Sequence, residues 1–113
     1  MIAMMPDAGR MQFENVTAHA EANIYFDGKV VSHTIVTAEG DKKTLGVILG
    51  GKFHFDTVAA ERMEIPRGSC VVTLDGESES KTYEAGTYFE VGANSGFTID
   101  VADTCQYVCS YLS

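Results

Sequence analysis

The sequence predicts an all-β domain: a sandwich, jelly roll or barrel built from short strands. Three observations carry that expectation. Helical periodicity is almost absent from the 113 residues. β-rich runs recur at near-regular spacing, divided by Gly, Asn, Asp and Pro. Residues 97–101 (FTIDV) alternate apolar with polar, the period-2 pattern of a strand that buries one face.

Taken in order, the first such run is residues 29–37 (KVVSHTIVT), closed by the turn residues Ala38-Glu39-Gly40-Asp41. Residues 44–49 and 52–57 flank Gly50-Gly51, a pair that reads as a two-residue hairpin. Residues 62–65 stop at Pro66-Arg67-Gly68. Residues 69–74 meet Asp75-Gly76, a second hairpin signal, and residues 77–83 return. Glu84-Ala85-Gly86 turns the chain into residues 87–91, and residues 92–96 (GANSG) form a loop. Residues 97–101 and 106–112 close the chain. Eight or more strands are expected, with no internal repeat or linker.

Length and composition bound the function. The chain is sized for one domain with one core, and 45% apolar residues is an ordinary globular composition. Residues 1–12 read as a disordered N-terminal extension, and residues 13–113 as the single domain. The Met-rich start has Arg10 as its one basic residue and lacks the basic and apolar regions of a secretion signal. No apolar run approaches the roughly 18 residues that cross a membrane as a helix. A net charge of −8 argues against nucleic acid as a partner, because phosphodiester binding needs a basic surface. An odd count of cysteines (Cys70, Cys105 and Cys109) without a secretion signal points to reduced thiols and a cytoplasmic protein. Cys105 and Cys109 stand about 13 Å apart at strand rise, too far for a disulfide.

One constellation carries chemistry. Gly46, His54-x-Asp56, Glu61 and Gly68 resemble the first motif of the cupins, small jelly-roll β-barrels in which histidines and a carboxylate hold a metal. Gly86 to Phe97 (GTYFEVGANSGF) resembles the second motif, but Phe97 stands where its histidine ligand would. A cupin-type jelly-roll barrel with a cavity is therefore expected, without the complete ligand set for a metal. A metal-dependent isomerase or dioxygenase using His54, Asp56 and Glu61 is one alternative. A non-catalytic module binding a nucleoside or sugar is another.

A longer set of blocks is more specific. Asn23-Ile24-Tyr25-Phe26-Asp27-Gly28-Lys29-Val30 comes first, followed by Thr44-Leu45-Gly46-Val47-Ile48 and Gly51-Lys52-Phe53-His54-Phe55. Glu61-Arg62-Met63, Gly68, residues 83–91, Ala93-Asn94-Ser95-Gly96-Phe97 and Cys109-Ser110-Tyr111-Leu112 follow in order. Together they resemble the pyrimidine/purine nucleoside phosphorylases, a family of small single-domain cupins, over residues 23–112. The resemblance implies phosphorolysis of purine and pyrimidine nucleosides to free base and ribose 1-phosphate. Inorganic phosphate is then the expected co-substrate, no metal or other cofactor is expected with Phe97 in the ligand position, and a homodimer is expected from the cupin resemblance and the need to cover strand edges. Gly92 replaces a proline usual in the family.

The implied chemistry needs a cradle for phosphate, a cavity for the base, and help for the departing base. Lys29, inside the first block, and Ser95 are the expected phosphate ligands. Tyr25, Phe26, Glu61, Tyr83, Asn94, Phe97 and Tyr111 are the expected nucleoside contacts, with Glu61 placed to accept from ribose hydroxyls. Phe97 is expected to wall the cavity rather than fill a closed core. Lys42 and Lys43 read as solvated turn residues. No residue is singled out as the catalytic group.

Overall fold

The computed structural model describes residues 11–112. Most of the expected N-terminal extension lies outside them. The described residues form seven strands: β1 (Thr17–Tyr25), β2 (Val30–Val36), β3 (Lys42–Asp56), β4 (Ala60–Leu74), β5 (Lys81–Glu84), β6 (Thr87–Val91) and β7 (Gly96–Leu112). All neighbours pair antiparallel, in the order β1-β2-β3-β7-β4-β5, with β6 also on β4. Among the described residues no helix is long and apolar enough to cross a membrane.

The expected all-β jelly roll forms, but fewer and longer strands build it. Gly50-Gly51 is not a hairpin. β3 runs straight through it, and the pair marks a register shift against β7 between Leu49 and Gly51. The same correction applies at Pro66-Arg67-Gly68, inside β4, and between residues 101 and 106, inside β7. These breaks are bulges: an extra residue bends a strand without ending it. Bending is what the fold requires. β4 pairs with β6 through Glu61–Ile65 and with β5 through Ser69–Val72, so one strand serves two parts of a rolled sheet. The sheet rolls up without closing by hydrogen bonds, leaving β1 at one end and β5 and β6 at the other.

The core is the inner face of this single sheet packed against itself. Val30, Ile48, Phe53, Met63, Ile65, Val72, Phe89, Val91, Phe97, Ile99 and Val101 are all buried in it. Cys70 and Cys105 also meet there; their thiol–thiol hydrogen bond, with burial, pushes the Cys70 thiol up. All three cysteines are free and buried. Inward Phe53 and Phe55 leave His54 and Asp56 pointing outward, as strand alternation demands.

Gly68 is the tightest of the bends. Its φ of +86° is left-handed, and an added Cβ would run into the Thr104 carbonyl and come within 2.9 Å of Cys105 Cα. Gly76 has nearly the same φ, +85°, with nothing within 4 Å of such a Cβ. Gly68→Ala should therefore cost more than Gly76→Ala, which meets only the left-handed penalty of about 1–2 kcal/mol. Thermal melts of both variants check this. Equal losses would show that the β4–β7 backbone yields without cost.

Candidate active site

A cavity of about 270 Å³ opens on the inner face, lined by Tyr25, Ser32, Thr44, Phe55, Asp56, Glu61, Met63, Phe97, Tyr107, Cys109 and Tyr111. Strand register assembles it. Glu61 of β4 lies opposite Tyr111 of β7, Met63 opposite Cys109, and Cys109 opposite Thr44 of β3. Gly46, opposite Tyr107, has no side chain because the Tyr107 ring occupies that space. Any Cβ at Gly46 would overlap the ring, so this glycine sets how Tyr107 lies.

One end of the cavity is polar. Glu61 is half-buried, and desolvation raises its carboxyl above the usual carboxylate range, against a hydrogen bond from Cys109 that acts the other way. Cys109 is pushed up to about 12, by burial first and then by Glu61. Burial also lifts Tyr107 and Tyr111 to about 12, with Ser32 beside the first and Thr44 beside the second. At neutral pH these hydroxyls and the thiol stay protonated and can donate hydrogen bonds.

The other end is aromatic. Phe97 stacks on Phe55 at 5.5 Å between centroids and meets Phe89 edge-on at 5.3 Å. It both walls the cavity and fills the core, at 1% exposure, which corrects the expectation of a wall alone. Phe26 lies over Phe53 and Phe55, at 5.0 and 5.5 Å, from a tight turn. Phe26 and Asp27 both adopt positive φ there, 51° and 55°, a strained conformation for residues other than glycine.

Of the sequence-expected contacts, the cavity gathers Tyr25, Glu61, Phe97 and Tyr111. Phe26 stands beside it. Tyr83 packs on Phe89 at 5.0 Å, away from the lining. Asn94 and Ser95 lie in the loop before β7, which Thr57 ties down: its hydroxyl donates to the Gly92 carbonyl at 2.6 Å and accepts from the Ser95 N–H at 3.0 Å. Lys29 is exposed at the end of the Phe26 turn and is not part of the lining. Ser32, Thr44, Tyr107 and Cys109 were not anticipated. The alternation of Cys105, Tyr107 and Cys109 was a sequence signal for the last two only.

The cupin metal frame does not fit this cavity, whose lining contains no histidine. His54 does not join Glu61, and Asp56 shares the lining with Glu61 while its side chain is exposed. Among the described residues His54 and Asp56 cluster with Asp75, all three exposed. There His54 Nε2 sits 2.9 and 3.0 Å from the two Asp75 carboxylate oxygens, an ion pair when the ring is protonated.

Comparison with known proteins agrees with this geometry. A family model described as pyrimidine/purine nucleoside phosphorylase matches residues 20–111. Proteins of that name from Paraburkholderia xenovorans and Herminiimonas arsenicoxydans are 54% and 52% identical over 101 residues. Those residues cover 89% of this chain and 95% and 97% of theirs. A solved protein of unknown function from Acinetobacter sp. superposes with a TM-score of 0.88 at 42% identity, covering 89% of this chain and 98% of that one. An RmlC-like cupin of double-stranded β-helix fold from Methanocaldococcus jannaschii gives 0.61 at 18% identity, over 82% and 89% of the two chains, and speaks for the fold alone. This chain belongs to the pyrimidine/purine nucleoside phosphorylase family.

Proposed function

We propose that this protein catalyses phosphorolysis of both purine and pyrimidine nucleosides, as a metal-independent pentosyltransferase. The observation that carries the reading is the divided cavity, in a chain that matches the family along nearly its whole domain. Its volume, about 270 Å³, falls just below the usual range of ligand pockets, which starts at about 300 Å³. Phe55 and Phe97 offer flat apolar contact to a base without reading its edge, and Met63 adds a pliable apolar one, which suits broad base tolerance. The polar end takes ribose and phosphate.

In the reaction a phosphate oxygen forms a bond to C1′ as the C1′–N bond breaks. The electron pair of that bond leaves with the base nitrogen, which must gain a proton. Glu61, whose carboxyl desolvation raises above the usual carboxylate range, gives that proton and recovers one from the bound hydrogen phosphate. The products are ribose 1-phosphate and the neutral base. In the ground state Glu61 accepts from or donates to the ribose hydroxyls. Tyr25 and Tyr111 flank the same end.

The same reading takes the protein to be a homodimer acting in the cytoplasm. The unpaired edge of β1 supports the first, together with exposed Ile24, Val47 and Leu49 on the outer face of β1–β3. Three unpaired thiols are consistent with the second.

Incubation with uridine, inosine or adenosine, with and without phosphate, tests the proposal. Free base should appear only with phosphate, and exhaustive EDTA treatment should leave the rate unchanged. Tight binding without turnover would make the protein a nucleoside-binding module. A rate lost on chelation and restored by one divalent metal would overturn the metal-free reading.

A further inference from the structure

The cavity presents a problem for an anionic co-substrate. Its lining includes two acidic residues, Asp56 and Glu61, and neither lysine nor arginine. A phosphate would enter it with no positive charge from the lining. The nearest remedy lies on the cross-strand row that carries Glu61 and Tyr111. Thr44 and Cys109 are register partners across β3 and β7, as are Lys43 and Ser110. One step further along, Lys42 comes beside Tyr111, with Nζ 5.5 Å from the ring centroid.

Alternation gives the two adjacent lysines different roles. Lys42 shares the face of Thr44, which lines the cavity. Lys43 faces the other way. Its Nζ donates to Ser110 Oγ at 2.7 Å and sits 5.9 Å from the Phe13 ring. Both belong to β3, which corrects the view of them as turn residues. Lys42 keeps its ammonium exposed at the cavity rim, free of any salt bridge among the described residues.

From this placement, and resting on the phosphorolysis reading, we infer that Lys42 holds the phosphate co-substrate over Tyr111. Thr44 and the Tyr111 hydroxyl supply neutral hydrogen bonds to it. Lys42 and Glu61 lie on strands either side of β7, about 10 Å apart at ordinary strand spacing. A phosphate between them lies against the ribose end of the nucleoside. Desolvation favours the neutral form of Glu61, which eases the repulsion that a second anion would meet there. The base then points toward Phe55 and Phe97. Access is ordered by this geometry: phosphate binds at the open rim, and the nucleoside fills the deeper aromatic end.

Steady-state kinetics of uridine phosphorolysis on the wild-type protein and on Lys42→Ala, Lys42→Arg and Lys29→Ala test the inference, with inorganic phosphate and uridine varied separately. Lys42→Ala should raise the KM for phosphate roughly tenfold or more, the usual loss for one charge-assisted contact, and should change the KM for uridine far less. Lys42→Arg should recover most of the phosphate affinity. Lys42 is exposed, so its variants should melt with the wild type, and that melt separates binding loss from unfolding. An unchanged phosphate KM in folded Lys42→Ala overturns the assignment, as does a rise confined to Lys29→Ala. A wild-type protein that releases no base with phosphate instead overturns the phosphorolysis reading on which the assignment rests.

Discussion

Phe97→Ala should lose about 3–5 kcal/mol of stability, a large part of the roughly 5–15 kcal/mol that holds a domain of this kind folded. The side chain is 1% exposed and lies opposite Phe55 on one neighbouring strand and Leu74 on the other. Its ring also touches Phe89 across the roll, so truncation removes contacts on three sides. The space created joins the cavity, and Phe55 loses the ring it stacks on. Catalytic efficiency for uridine should therefore fall in the fraction that remains folded. Phe97→Leu keeps most of the volume and should cost less than half as much. Urea midpoints with kcat/KM on the same samples check both effects. A loss under about 1 kcal/mol for Phe97→Ala would show that the ring lines open space and supports nothing.

Glu61→Gln should have the largest effect on turnover, lowering kcat by about 10²–10⁴, the range for removing a general acid. Gln keeps the size and hydrogen-bonding reach of the side chain but carries no transferable proton. Stability should move the opposite way with pH. Burial raises the folded-state pKa of Glu61 above its unfolded value, so the folded protein holds this proton more tightly. The wild type therefore bears no penalty from this group below the unfolded pKa, near 4.3. It loses stability as pH rises through the interval up to the folded pKa, and the full penalty remains above it. Gln has no such penalty. The melting temperature of Glu61→Gln relative to wild type should climb between pH 4 and pH 8. A difference that stays flat over that range would mean Glu61 is not desolvated, and near-normal kcat would remove it as the proton donor.

The strands that bury one face were legible in the sequence, because alternation is a local property. Residues 97–101 and 53–55 show it directly, and the turn at Asp75-Gly76 falls where the chain does reverse, whereas Glu84-Ala85-Gly86 only bends it, since β5 and β6 both run antiparallel to β4. β1 was not legible. Residues 17–25 (TAHAEANIY) bury little of either face, so no alternation was written into them. Gly50-Gly51 and Gly68 carry the residue types of turns, and they serve as bulges because long strands must bend to roll the sheet. Glycine reports that the backbone needs freedom at a point, without reporting whether the chain then reverses or continues.

The sequence by itself determined that the chain is all-β, that its blocks belong to one family, and that Phe97 occupies the place of a cupin histidine. Only the tertiary structure decided which polar groups meet. Glu61, Tyr111, Cys109 and Thr44 come from three strands and converge through register, which depends on where bulges fall and not on spacing along the chain. The same register turns Lys42 toward the cavity and Lys43 away from it, although the two are neighbours with the same chemistry. It also sends His54 outward, separating it from Glu61. Side-chain direction in a strand is fixed by parity, and in a bulged sheet parity is settled by pairing with distant strands.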